Sequence, residues 1–186
     1  MANEKHSESS LVAKALVDEN KNASIAKISS DNNFCSIYVS KYRMNKEVGF
    51  ERKLFQMLED FQLYYRNIPS SVDTINLILH ENQLHQEIEC ELIQRISSEL
   101  SADKVTIQRN LALIMLIGGE MNHNVDNITR AANVLAKKEI NIEMIHMSHG
   151  SSKISLVLGV KAHDEKKAVV ALHREFFAGV SVDHMC

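Results

Sequence analysis

Gln62-Leu63-Tyr64-Tyr65-Arg66-Asn67-Ile68 and Glu139-Ile140-Asn141-Ile142-Glu143-Met144-Ile145 stand about 77 residues apart, and each follows a stretch with helical apolar spacing. The same offset carries Phe34 onto Leu111, Phe55 onto Ala132 and Leu58 onto Leu135. One displacement thus aligns a strand, a helix and a second strand. Solenoid repeats run about 20–50 residues per unit. A repeat this long reads instead as two small α+β units in tandem, and paired units imply a shared site or a shared interface.

Outward from these segments, the apolar periods supply the remaining elements. In the first unit Phe34–Val39 is β-rich. Phe50, Leu54, Leu58 and Phe61 recur at helical spacing, and Leu63–Ile68 is a second strand. Pro69-Ser70-Ser71 turns the chain into the alternating strand Thr74–His80. Ile88, Leu92, Ile96 and Leu100 share one helical face, and Lys104–Gln108 closes the order βαββαβ. The second unit repeats it. Leu111–Ile117 is a strand, Ile128, Ala132 and Leu135 mark a helix, and Ile140–Ile145 and Lys153–Val160 are strands. Ala168, Leu172 and Phe176 mark the last helix. Only Val180-Ser181-Val182 remains for a final strand, and a missing strand leaves a sheet edge open. The early strand Ser24–Ser29, followed by a turn at Ser30–Asn33, is placed to fill that gap. The expected division is a leader over 1–23, either a short helix or disordered, and a completing strand over 24–33. The first unit then takes 34–109 and the second 110–186.

Composition narrows the function. The chain has 186 residues, 45% hydrophobic and 24% charged, the balance of an ordinary soluble domain. The net charge is -3 with no basic stripe, which argues against nucleic-acid binding. Cys35, Cys90 and Cys186 are isolated and odd in number, as free thiols in a reducing compartment are. No apolar run approaches a membrane span and the N-terminus lacks a signal core. A cytoplasmic protein is expected, with no membrane partner.

The loop between the first strand and helix is the natural ligand loop. In Met44-Asn45-Lys46-Glu47-Val48-Gly49-Phe50, Gly49 stands where the helix begins, so backbone N–H groups can face an anion such as a carboxylate. Glu47 can hold an ammonium. The plainer alternative is that Gly49 permits a tight turn and Glu47 favours the helix N-terminus. Ser70, Ser71 and Asp73 follow the second strand, where hydroxyls either donate to a ligand or make turns. His146 and His149 have metal-like spacing but no acidic or Cys partner grouped with them. Gly118-Gly119-Glu120 lacks the Gly-Lys-Ser/Thr of a phosphate loop. No nucleophile–base pair or carboxylate dyad is evident, and neither a cofactor nor a metal is expected.

Ile140–Ile145 followed by Gly150-Ser151-Ser152 resembles the second ACT domain of aspartate kinases. Gly119-Glu120-Met121 and the ending Ala168–Phe177 are similar to the same family. Phe34–Val39 with Met44, Val48-Gly49-Phe50, Ile68-Pro69-Ser70 and Asp73 resembles the first ACT domain of the lysine-sensitive branch. The resemblance spans about Ala26 to Phe177. It implies two tandem ferredoxin-like βαββαβ ACT domains, α+β in class, with antiparallel sheets and helices on one face. It also implies an amino-acid effector, lysine or alternatively threonine, and a homodimer built through the ACT sheets. The job implied is feedback inhibition of a kinase that transfers phosphate from ATP to the aspartate carboxyl group. One ACT unit of the family is completed by a strand from outside its own segment. The family's Lys-Phe-Gly-Gly kinase segment is absent, so the resemblance implies a regulatory part alone, without phosphoryl transfer, partnered by a catalytic domain or subunit. It assigns effector contacts to Met44, Asn45, Glu47, Val48, Gly49, Phe50, Tyr65, Arg66, Ser70, Ser71 and Asp73.

Two departures from the family stand out. Arg66 replaces a common acidic residue and would repel a lysine ammonium by about 1 kcal/mol if partly buried, which Glu47 or Asp73 would offset. In the second unit Val125-Asp126-Asn127 replaces a glycine pair, and two extra residues fall near His146-Met147. A ligand-free structural dimerisation module is the alternative reading. An RNA-binding ferredoxin-like protein would need stacking aromatics on Ile75–Leu79 or Ile154–Leu158, which carry none.

Overall fold

The computed structural model describes residues 16–17, 25–118, 126–149 and 154–177. The strands are β1 Leu16–Val17, β2 Lys27–Ser40, β3 Tyr65–Asn67, β4 Thr74–His80, β5 Lys104–Gly118, β6 Met144–His149 and β7 Ile154–Lys161. The helices are α1 Phe50–Asp60, α2 Gln86–Glu99, α3 Asp126–Ala136 and α4 Glu165–Phe176. The class is α+β. One antiparallel sheet runs β3-β4-β2-β5-β7-β6, with β1 beside β2.

The two strands expected over Ser24–Ser29 and Phe34–Val39 are one strand of 14 residues. Likewise Lys104–Gln108 and Leu111–Ile117 are one strand of 15. Ser30–Asn33 is therefore a bulge and not a turn. Asp31 pairs with Leu113 and Phe34 with Leu111, so β2 holds one extra residue there, and Asn33 takes φ 65° to absorb it. Between Phe34/Leu111 and Ser36/Gln108 the extra residue is on β5, where Asn110 has φ 59°. Polar residues in the first bulge have partners. Ser30 Oγ and Asn32 Nδ2 donate to the two carboxylate oxygens of Glu165 at 2.6 and 2.9 Å.

These bulges set the faces of the sheet. Side chains alternate along a strand, so Ile28 and Cys35, an odd number of residues apart, would point to opposite faces. The extra residue restores them to one face. Cys35, Ile37 and Val39 of β2 and Ile75, Leu77 and Leu79 of β4 pack with Leu54, Leu58, Leu92 and Ile96 of α1 and α2. Ile28, the alternate residues Ala112, Ile114 and Leu116 of β5, and Leu156, Leu158 and Val160 of β7 pack with Ala131, Leu135, Ala168 and Leu172 of α3 and α4. All four helices thus lie on one face. Phe34, Ile78, Leu111, Leu113 and Val157 form a third apolar cluster on the other.

Three details differ from the sequence expectation. Tyr65–Asn67 is shorter than Leu63–Ile68, because Leu63 is buried with its N–H on Leu58 O at 2.8 Å, and the pairing with β4 slips between Tyr65 and Asn67. β6 begins at Met144 and not at Ile140. Ile140 is spent in the core with its N–H on Leu135 O, and pairing starts only where Met144 meets Gly159. A Cβ on Gly159 would lie 3.1 Å from that of Met144, so the close approach depends on glycine. The second unit is also longer. Phe34 pairs with His80, 46 residues on, whereas Leu111 pairs with Lys161, 50 residues on, so it carries four extra residues. The loop over 119–125, the turn over 150–152, the strand expected over 180–182 and most of the leader lie outside the described residues.

Because β2 and β5 each serve both cores, the halves should unfold together. Leu77→Ala in the first core and Leu158→Ala in the second should each cost about 2–5 kcal/mol and lower the same single transition in urea or calorimetry. Two transitions, each moved by one variant only, would refute this.

Candidate functional site

The expected ligand loop is held against the loop after β3. Lys41 N–H donates to Asp73 O at 2.9 Å, Arg43 N–H to Asp73 Oδ1 at 2.7 Å and Asn45 N–H to Val72 O at 3.1 Å. Tyr42 N–H reaches Asp103 Oδ2 at 2.6 Å. Ser71 N–H closes its own turn on Thr74 O. The two loops are thus one rim at an end of the first unit, beside the edge strand β3.

Within that rim the residues have different roles. Met44 and Phe50 are buried in the first core and form its floor. Gly49 has φ 85° at the start of α1 with open space around its Cβ position, so its backbone angle and not crowding requires glycine. No side chain caps α1 there. Glu47 is ion-paired with Lys41, and Lys53 stands 4.0 Å away. Lys41 also donates to Leu100 O and lies over the Phe50 ring. Asp73 is occupied by the Arg43 backbone. Asn45, Val48, Tyr65, Arg66, Ser70 and Ser71 are exposed, Val48 at 98%. Tyr65 stacks on Phe55 of α1, with ring centroids 6.0 Å apart. The structure therefore gathers Met44–Phe50 and Ser70–Asp73 into an open rim, whereas Tyr65 and Arg66 stand toward the Leu79–Ile78 end of β4, away from it. Its exposed functional groups are the Ser70 and Ser71 hydroxyls, the Asn45 amide and the Arg43 and Lys46 cations.

Sequence reasoning missed what holds the rim and the bulge. Arg43 and Val72 contribute only backbone atoms, which leave no residue-type signal. Arg109, beside the β5 bulge, binds Glu81 at 2.9 Å and also pairs with Glu89 of α2, while Asn110 N–H reaches Glu81 Oε2. A second polar cluster lies on the helix-free face where the units meet. Ser36 Oγ donates to Asn76 Oδ1 at 3.3 Å, and Gln108 Nε2 donates to Glu143 Oε2 at 2.5 Å. These residues line a cavity of about 60 Å³ with Ile78, Leu111, Leu113, Met144 and Gly159. Donation from Asn141 and then Gln108 holds the Glu143 carboxyl below its usual range. Burial pushes the Cys35 thiol up to about 11, so it is an inert core group. Among the described residues no three His, Cys, Asp or Glu group as a metal site, and no helix is long and apolar enough to cross a membrane.

Residues 114–176 match the ACT domain family. Aspartokinase 3 of Bacillus subtilis is 46% identical over 164 residues, covering 88% of this chain and 36% of the relative. The crystal structure of the Clostridium acetobutylicum aspartate kinase superposes with TM-score 0.76 at 30% identity, covering 86% of this chain and 37% of that one. The ligand-free regulatory subunit of aspartate kinase from Thermus thermophilus shares the fold at 18% identity, TM-score 0.69, over 82% of this chain and 98% of the subunit. The chain spans only about a third of the length of the Bacillus relative it matches. Fold and matched segment together define an ACT-domain protein. More particularly, the chain is an ACT region of the aspartate kinase type.

Two outcomes test the site's construction. Asp73→Ala frees the Arg43 N–H and should destabilise the chain by about 1 kcal/mol in urea titration, with amide exchange rising across 41–49. Stability should also depend on Glu143. Its folded pKa lies below the unfolded value, so the unfolded state binds more protons as pH falls, and the stabilisation present at neutral pH is lost through the acid range. Glu143→Gln should flatten the acid limb of a stability–pH curve. An unchanged limb would remove Glu143 from this role.

Proposed function

We propose that the rim formed by residues 41–50 and 70–73 binds an amino-acid effector, and that its occupation feeds back on an aspartate kinase catalytic domain or subunit. The observation that supports this most is the pinning of the two loops by Asp73 and Val72, which brings the loop over 41–50 against the loop over 70–73. In this reading the uncapped first turn of α1 receives the effector carboxylate. Ser70, Ser71 and Asn45 supply polar contacts, while Glu47 and Asp73 set the local field. Lysine is the first candidate and threonine the second. The division is a first ACT domain over 34–109 and a second over 110–186, the latter completed by the 24–33 strand, which pairs with β5 at Leu113–Ile117. The chain regulates and does not itself transfer phosphate. It works in the cytoplasm as a homodimer through its sheets, whose outer strands are β3 and β6, the latter with Ile145 and Met147 about half exposed.

A purely structural dimerisation module is the second reading. Arg66, exposed on the edge strand, and the engagement of Glu47 and Asp73 within the chain favour it over a lysine sensor.

Thermal unfolding with lysine, threonine or methionine separates the two. An effector at 100 times its dissociation constant adds about 2.7 kcal/mol of stability. A stable dimer in ultracentrifugation whose melting responds to none of the three amino acids would leave only the structural reading.

A further inference from the structure

The two helix layers carry opposite charge. In the first unit α2 turns Glu87, Glu91 and Glu99 to solvent, and its Arg95 is clasped to Asp60 of α1 at 2.9 Å and to Glu99 at 2.7 Å. In the second, Arg130 of α3 makes the matching clasp to Glu175 of α4 at 2.8 Å, lying over the Phe176 ring. That clasp uses up Glu175, the one carboxylate among the described residues that line the groove between α3 and α4. The groove has a volume of about 560 Å³. Its floor includes Val134 and Ala171, and its rims carry Lys138, Lys166, Lys167 and Arg174. All four cations are exposed, and among the described residues none has a carboxylate partner. Val170, 46% exposed, stands between Lys166 and Arg174 on α4. A chain of net charge -3 thus concentrates four unneutralised cations around one apolar groove.

We propose that the α3–α4 groove is a docking site for an acidic amphipathic helix of a partner protein. Its apolar stripe would sit on Val134, Val170 and Ala171, and its flanking carboxylates would meet Lys138, Lys166, Lys167 and Arg174. The chemistry selects this occupant. Lys166 to Arg174 spans about 12 Å of helix axis, two turns, so carboxylates a turn or two apart on an incoming helix meet both ends of the rim. A membrane surface needs apolar groups that protrude, whereas this floor is recessed. A single-stranded nucleic acid needs aromatic platforms beside its cations, and no aromatic is among the described residues that line the groove. This surface is separate from the effector rim, which lies in the other unit.

A fluorescent synthetic helix of about four turns, roughly 14 residues, with Leu on one face and Glu flanking it, is titrated against the full chain by anisotropy. Saturable binding is expected, weakening as salt is raised. It should be lost by roughly tenfold or more in K166E/K167E/R174E, whose circular dichroism and melting show that it still folds. Val134→Gln tests the floor and should weaken binding without altering its salt dependence. The proposal is overturned by absence of saturable binding, or by equal affinity for a scrambled peptide of the same composition. It is also overturned if the charge-reversed variant binds as well, or if single-stranded oligothymidylate binds more tightly than the peptide.

Discussion

The pairing of β2 with β5 is the constraint on which the rest depends. Each strand runs through both units, so neither core can form without the strand that also belongs to the other. Register along the pair is kept by two compensating bulges, one on each strand, flanking the Phe34–Leu111 pair that the repeat relates. Remove one extra residue and half of the apolar side chains turn to the wrong face. The cost would be the burial of a whole core, far above that of any single contact. The polar run Ser30–Asn33, whose composition reads as a turn, and the Arg109–Glu81–Glu89 group are the hardware of this joint.

From that joint the units diverge. The first keeps a pinned rim at the far end of β2, with Gly49 setting the entry to α1 and Asp73 tying its loops. The second carries four additional residues before its β7 register point and a helix layer of the opposite charge. A duplicated scaffold thus carries two different surfaces, a pinned loop rim in one unit and a cation-rimmed groove in the other. The polar cluster of Ser36, Asn76, Gln108 and Glu143 lies between them on the helix-free face. Its Gln108–Glu143 hydrogen bond ties the first-unit part of β5 to the segment before β6.

The reading of residues succeeded where a signal is local and periodic. Leu54, Leu58, Leu92 and Ile96 declare their helices at 3.6-residue spacing, and Thr74–His80 declares its strand by alternation. It failed where the deciding partner is distant in sequence. Ile140 has the character of a strand residue but is consumed as a core plug, because Met144 is the first residue that Gly159 lets approach. Of the expected site, Gly49, Ser70 and Ser71 were legible as loop chemistry. The engagement of Glu47 by Lys41 and of Asp73 by Arg43 was not, since an ion pair and a backbone donor carry no spacing signature.

The sequence by itself determined the duplication, the α+β order of each unit, the core faces of the helices and the resemblance to ACT domains, because all of these are written in nearest-neighbour periodicity and short motifs. Only the tertiary structure decided that two pairs of expected strands are two continuous ones, that both helix layers share a face, and that four scattered cations surround one groove. Each of those outcomes rests on which distant segment lies alongside. That is settled by strand pairing and burial acting across the whole sheet, and not by any stretch of residues alone.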